Sequence, residues 1–460
     1  MAGKKTQAQL TPEEKLQQAL VPEAEQPYKV PANWCWTKLG IVSIFERGIT
    51  FPASGKEKEK SENNLPCIRT TNIQEELELE DLIYIDKKYI KNNENKLVKT
   101  NDIIMSSANS RELVGKVIYV HNIFEPMTFG GFVLVIRTKD IFNKFLFYFL
   151  RLEFLAGHFM GKSAQTTNIA NISTANLSSY CIPLPPLPEQ QRIVERIESL
   201  FAKLDEAKEN LQNVLDGFET RKAAILHKAF TGELTSNWRK QHGISMDSWK
   251  EKPLKDLTDV IGDGIHGTPI YTENGEYYFI NGNNFSGVEI RIKPETKRVN
   301  HIEYDKYKVN LNDKTVFVSI NGTLGKTAFY NNEKIILGKS ACYLNLKENL
   351  NKFYLRYFFC SKEFIDFANE KATGSTIKNL GLKAIRNLII FVPPIPEQTE
   401  IVRIIDALFS KEQQGKELAE NALAKIDLIK KAILARAFRG ELGTNNPADE
   451  PAVELLKRML

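Results

Sequence analysis

The stretch with the plainest claim on chemistry is Asn321-Gly-Thr-Leu-Gly-Lys-Thr327, "NGTLGKT", whose end resembles that of a phosphate-binding loop. Such a loop wraps phosphates in backbone amides and needs a Gly five residues before its Gly-Lys-Thr. That position is Ile320, so the loop is too short for the task. "GDGIHG" (262–267) spells Gly-x-Gly-x-x-Gly, but Pro269 stands where the helix of a dinucleotide site should open. Cys35, Cys67, Cys181, Cys342 and Cys360 form no Cys-x-x-Cys pair, and no His-x-x-x-His pair accompanies them. Neither a structural zinc nor a disulfide framework is expected. Amino-group methylation of a base would call for an Asn- or Asp-Pro-Pro-aromatic loop and a Gly-rich methyl-donor site. The chain has "PPLP" and "VPPI" but no such loop, and no clustered nuclease carboxylates. No catalytic residue, cofactor site or metal site is assigned.

With 42% hydrophobic and 26% charged residues the chain has the composition of a globular protein, and 460 residues suffice for two or more cores. No apolar run approaches the roughly 18 residues of a membrane span. The opening "MAGKKTQAQLTPEEKLQQ" lacks an apolar signal core, so a cytoplasmic location is expected. The net charge of +5 is too small to identify a nucleic-acid binder by itself.

An internal repeat organises everything else. "PPLPEQQRIVERIESLF" (185–201) returns as "PPIPEQTEIVRIIDALF" (393–409), and "AILHKAFTGEL" (224–234) as "AILARAFRGEL" (432–442), both at an offset of 208 residues. Fainter matches precede them: "GGFVLVIRTK" (130–139) over "GKSACYLNLK" (338–347), "CIRTTNI" (67–73) over "FINGNNF" (279–285), and "NDIIMSSANSRELVGKVIYV" (101–120) over "NDKTVFVSINGTLGKTAFY" (312–330). The Gly-Lys of the opening fragment therefore reads as a turn between two strands, present in both copies.

Each large block reads as short strands, such as "DLIYI" (81–85), "KVIYV" (116–120), "FVLVI" (132–136), "TVFVSI" (315–320) and "NLIIFV" (387–392). One helix per block is expected, at 144–159 and 352–369. The segments that follow are long helices. Ile193, Ile197, Leu200, Leu204, Ala207, Leu211, Val214 and Phe218 keep a 4-3-4-3 rhythm, a coiled-coil seam. The second helix carries Ile401, Ile405, Leu408, Ile426, Ile429 and Ile433, with Glu412, Gly415, Ala419 and Ala422 in its middle. Large residues facing small ones predict an antiparallel pair that meets near 211 and 419. "PLPPLPEQ" is a stiff entry to the helix rather than a ligand for a Pro-binding partner, because it recurs at a helix start.

The expected fold is thus mixed α/β with a pseudo-two-fold repeat. Its parts are an N-terminal tail (1–33), a first block (34–187), a central long helix (188–234), a linker (235–247), a second block (248–395), a C-terminal long helix (396–442) and a tail (443–460).

From about Trp34 to Leu442, two divergent blocks each followed by Pro-Glu-Gln and Gly-Glu-Leu segments at matched spacing resemble the specificity subunit of a type I restriction–modification system. "RGITF…LPCIRTTNIQ" (47–74) is similar to the first block of that family's enteric members. The resemblance implies two α/β target recognition domains, each reading one half of a bipartite sequence in double-stranded DNA. It implies that the paired helices set the spacer and dock two modification (methyltransferase) subunits. Restriction (translocase/nuclease) subunits would join that complex, and neither methyl donor nor ATP would bind this chain. The N-terminal tail is longer than the pattern. The alternatives are a DNA methyltransferase with its own recognition domain and a coiled-coil interaction protein without DNA.

Reading DNA takes donors and acceptors on loops that reach base edges, with cations on phosphates. Three loops per block fit: 46–58 over 262–269, 106–116 over 319–326, and 161–168 over 371–379, with "RTTN" (69–72) and "NGNN" (281–284) between them. The candidates in the first block are Arg47, Thr50, Lys56, Arg69, Asn72, Ser107, Asn109, Arg111, Lys116, Lys162, Gln165 and Asn168. Those in the second are His266, Thr268, Asn281, Asn283, Asn284, Asn321, Thr323, Lys326, Lys371, Ser375 and Lys378.

Overall fold

The computed structural model describes residues 11–160, 170–374 and 377–460, and the main chain at 164–165. The chain divides into two compact units, Met1–Asn210 with Ala422–Leu460, and Leu211–Asn421. Each long helix contributes to both.

In the first unit an antiparallel sheet runs in the order Ser43–Arg47, Val133–Thr138, Ile103–Ser106, Val117–Tyr119. In the second unit the order is Thr258–Asp263, Ala341–Leu346, Thr315–Ser319, Thr327–Phe329, the same arrangement strand for strand. A further sheet in each unit pairs Asn64–Ile68 in parallel with Thr128–Phe129, and Tyr277–Ile280 in parallel with Ile335–Leu337. The central strands are buried on both faces, with Ile103, Ile104, Val135 and Ile136 in one unit and Val316, Phe317, Val318 and Leu344 in the other all at 0% exposure. That is why they read as unbroken β-branched runs rather than alternating ones.

The Gly-Lys turns are as the repeat predicts. Gly115 (φ +86°) and Gly325 (φ +83°) sit in the left-handed region, and each N–H returns to the preceding strand, at Ser106 O (2.8 Å) and Ser319 O (3.0 Å). A Cβ on Gly115 would meet the Phe159 ring at 2.4 Å, so the turn packs on the segment just past the domain's helix. "NGTLGKT" is a hairpin turn.

Helix boundaries depart from expectation. The first block's helix stops at Leu155 (Asn143–Leu155). The second block's is two helices, Lys352–Phe359 and Lys362–Lys371, because the Ser361 side chain caps the second by accepting from Phe364 N at 3.3 Å. The central helix is also divided, into Leu187–Asp216 and Phe218–Phe230, at Gly217. The C-terminal one runs unbroken from Ile395 to Phe438. The tail's Pro12–Ala19 helix carries a capping box between Thr11 and Glu14 and packs Leu16 and Ala19 into the first unit's core.

Within each unit the two long helices lie antiparallel. In the first, Ile193, Val194, Ile197 and Phe201 share a core with Leu434, Ala437 and Phe438, and Lys430 pairs with Asp205. In the second, Ile401 and Ile405 share a core with Leu226, Ala229 and Phe230, and Arg221 Nε meets Glu412 Oε2 at 2.8 Å. Two seam positions are not sealed: Val214 is 43% and Ile429 44% exposed.

The repeated signature is explained by these helix ends. Gln190 accepts from Phe142 N (2.8 Å) and donates to Pro185 O (2.9 Å); Gln398 accepts from Asn351 N (2.8 Å) and donates to Pro393 O (2.8 Å). The glutamine bolts each long helix to its own block. The neighbouring glutamate, wholly buried in both copies, holds the segment that follows Gly-Glu-Leu in the antiparallel partner. Thr444 Oγ1 donates to Glu189 Oε1 at 2.8 Å, and Thr235 Oγ1 to Glu397 Oε1 at 2.7 Å. Arg192, held also by Asp449, neutralises the first carboxylate; Arg239 (2.6 Å) and the Trp249 indole (3.0 Å) satisfy the second. Burial pushes the Glu189 carboxyl up, against the opposing pull of Thr444 and Arg192. Gly232 (φ +81°) and Gly440 (φ +74°) follow the ends of their helices in the left-handed conformation that turns the chain back toward these carboxylates.

Candidate nucleic-acid interface

The expected loops converge in both units by main-chain pairing. Ile49 bridges Gly130, and Ile265 bridges Gly338, each in parallel. The approach is possible only without a side chain at the preceding residue: a Cβ on Gly48 would stand 2.0 Å from Gly130 O, and one on Gly264 2.1 Å from Leu337 O. The second loop is joined to the segment just past the third loop in the first unit and to the third loop itself in the second. Asn109 pairs with Ala170 and Ile172 N donates to Ser107 O (2.9 Å) in the first unit; Asn321 pairs with Asn379 and Gly322 N donates to Lys378 O (2.9 Å) in the second. "GDGIHG" ends a strand and opens no helix.

The side chains fall into two groups. Arg47, Thr50, Lys56, Arg111, His266, Thr268, Asn283, Thr323, Lys326, Lys371 and Lys378 are exposed. Of these His266 faces Asp263 (2.9 Å), Lys371 pairs with Glu370 (2.8 Å) and Lys378 donates to Asn369 (2.5 Å). The second group is committed inside the fold. Asn72, 2% exposed, accepts from Arg69 N (2.8 Å) and donates to Glu78 O (3.0 Å); Asn284 accepts from Asn281 N (3.0 Å) and donates to Arg291 O (2.9 Å). "RTTN" and "NGNN" are therefore one structural device, a tight turn stapled by its fourth residue, and the base contact expected of Asn72 and Asn284 has no free amide. Ser107 Oγ donates to Phe132 O (3.0 Å), Asn109 bonds Ser106 Oγ (3.1 Å) and Ser110 N (2.8 Å), and Asn281 accepts from Ser340 Oγ (3.2 Å). These three likewise hold loops together. Asn321 reaches Asn379 at 3.4 Å. Lys116 donates to Gln74 Oε1 (2.8 Å), and burial draws its ammonium below the usual lysine range. Lys162, Asn168 and Ser375 lie outside the described residues, as does the side chain of Gln165.

Thr50, Lys56 and Arg69 line one hollow of about 360 Å³ with Phe51, Thr71 and Phe132. The Arg69 guanidinium is anchored on Asp81, at 2.7 Å to its carbonyl and 2.8 Å to its carboxylate, while its Nε is buried without a partner. In the second unit Asn283 and Lys326 share a hollow of about 610 Å³ with Arg291 and Lys293. Arg291, Lys293 and Phe132, which line these hollows, lie outside the expected loops. The Gly-Gly ahead of Phe132 was the available signal, since it marks a close main-chain approach at a strand start. Among the described residues no cluster of His, Cys, Asp and Glu could hold a metal ion, and no helix is long and apolar enough to cross a membrane.

The model of the type I restriction modification DNA specificity domain matches the chain twice, over residues 31–216 and 246–420. The chain belongs to this family. It is 28% identical to the EcoKI specificity subunit of Escherichia coli K12 over 438 residues, covering 92% of each chain, and 28% identical to the StySPI specificity subunit of Salmonella potsdam over 447 residues, again 92% of each. In fold it is similar to the HsdS subunit from Thermoanaerobacter tengcongensis, with a TM-score of 0.61 at 19% identity over 91% of this chain and all of that one. One match falls in each copy of the repeat. Specificity-subunit membership, with two DNA specificity domains and paired helices, displaces the methyltransferase alternative.

Proposed function

We propose that the chain is the non-catalytic DNA-reading subunit of a type I restriction–modification complex, each unit contacting one half of a bipartite duplex target. The observation that carries this reading is the contrast between frame and loops. Strand order, stapled turns, glutamine bolts and carboxylate clasps recur in both units, whereas the exposed side chains on the converging loops differ. Two readers of unlike half-sites need a shared frame and unlike contacts. Exposed Arg47, Lys56, Arg111, Lys326, Lys371 and Lys378 supply phosphate contacts, and Thr50, His266, Thr268, Asn283 and Thr323 reach base edges. The outward faces of the long helices dock two modification subunits, which bring the methyl donor, and restriction subunits join that core in the cytoplasm. The names of the relatives and the equivalence of the two helix ends support this assembly.

The chain, purified with its modification subunit, is expected to bind a duplex carrying the methylated sequence well above a scrambled one, with affinity falling steeply as salt rises. The chain alone is expected to retain no methyl donor. Equal binding to both duplexes, or methyl transfer by the isolated chain, would overturn the reading.

A further inference from the structure

We propose that the Phe132 ring reads the C5-methyl group of a thymine in the half-site contacted by the first unit. The inference rests on the reading of each unit as a DNA reader and adds a residue and the base it selects. Phe132 is 62% exposed, although the strand that starts at the next residue is buried from Val133 (1%) to Ile136 (0%). Its main chain is fixed on both sides. Gly130 N donates to Ile68 O (2.9 Å) before it, and its own carbonyl accepts from Ser107 N (3.0 Å), Ser107 Oγ (3.0 Å) and Ala108 N (3.4 Å). Gly48 N of the first loop donates to Val133 O (3.1 Å) just after Phe132, so the first and second loops both fasten beside one residue, and that residue displays a phenyl ring to solvent.

The surroundings suit a base edge. Thr50, Lys56, Arg69 and Thr71 line the same hollow, so cations for phosphates and hydroxyls for base edges stand beside the ring. Thymine alone carries a methyl group in the major groove, and an apolar ring is one of the few side chains that distinguish it. The ring lines a hollow instead of standing alone on the surface, which favours contact with an edge over insertion between stacked pairs.

The second unit has the opposite arrangement at the corresponding position. Ser340 turns inward, donating to Asn281 Oδ1 (3.2 Å) and accepting from Gly282 N (2.9 Å). One frame therefore offers a ring in one copy and a tied-back hydroxyl in the other, so this position distinguishes the two half-sites.

The test uses the complex with its modification subunits and the target found by methylome mapping. Each thymine of the target is replaced singly by deoxyuridine, which removes only the methyl. With the wild-type complex, one replacement in one half-site is expected to weaken binding about fourfold, the worth of burying one methyl. With Phe132→Ala that replacement should cost nothing, and binding to the unmodified target should already be about fourfold weaker. Phe132→Leu, which keeps an apolar side chain, should retain part of the discrimination and guards against misfolding of the alanine variant. A Phe132→Ala loss that is the same at every thymine, a thymine-to-deoxyuridine effect that survives in the variant, or no thymine in the affected half-site would each overturn the proposal. A wild-type complex that does not distinguish target from scrambled duplex would instead refute the underlying DNA-reading function.

Discussion

Gln398 does its work through three main-chain contacts, accepting from Asn351 N and donating to the carbonyls of Asn349 (3.0 Å) and Pro393 (2.8 Å). It is fully buried, so truncation leaves several groups dry and unpaired. Gln398→Ala is expected to cost about 2–4 kcal/mol, read by urea unfolding, whereas a surface substitution such as Gln413→Ala should stay within about 0.5 kcal/mol. The same distinction separates the interface candidates. Asn72→Ala should lower the melting temperature and affect DNA binding only through stability, because its amide is spent within the turn. Arg111→Ala should leave the melting temperature unchanged and weaken duplex binding at low salt, with a shallower dependence on salt by about one phosphate contact. A wild-type salt slope in Arg111→Ala would remove that residue from the interface.

At the scale of elements, the long helices hold the chain together by their ends rather than by a uniform seam. The buried carboxylates Glu189 and Glu397 clasp opposite helix ends, while Val214 and Ile429 remain nearly half-exposed along the way. The Arg221–Glu412 pair between the helices is partly exposed, at 41% and 24%, and contributes no more than about 1 kcal/mol. The central helix already breaks at Gly217, which makes its vicinity the natural place to change its length. Inserting four residues after Asp216 adds about 6 Å of helical rise and interrupts the heptad register. If helix length fixes the separation of the readers, the target's spacer should grow by one or two base pairs, at 3.4 Å each, with both half-sites unchanged. Methylome mapping of the insertion variant decides the matter. An active complex that keeps the original spacer would leave the helices as a docking platform alone.

At the scale of the whole molecule, the repeat divides the chain into a shared frame and two independent sets of contacts. Replacing residues 34–187 with the corresponding block of another family member should alter one half-site only. The incoming block must present a main-chain N–H where Phe142 N donates to Gln190 and a buried face against Ile193 and Ile197, because these three helix residues lie outside the exchanged segment. Methylation at a target changed in both halves would be incompatible with two separate readers. Charge reversal on the helices' outward faces, Arg196→Glu with Arg403→Glu, should reduce the complex mass in native mass spectrometry without altering which duplex is preferred. Both arginines are exposed, and Arg403 pairs with Glu400 on its own helix.

The sequence by itself determined the duplication, the strands of the central sheets, the hairpin nature of "NGTLGKT" and the antiparallel helix pair. Each of these rests on a local period, a turn residue or a spacing repeated along the chain, and such signals survive without knowledge of distant neighbours. Tertiary structure alone decided which polar residues remain available for DNA. Asn72 and Asn283 look alike in the sequence, yet one amide is consumed by a carbonyl six residues on and the other faces solvent. It also decided why Pro-Glu-Gln and Gly-Glu-Leu recur. Glu397 is satisfied by Thr235, Arg239 and Trp249, about 150 residues away along the chain, and no local pattern announces a partner at that distance. A buried polar group must find its hydrogen bonds wherever the fold brings them, and that is settled by the packing of whole elements.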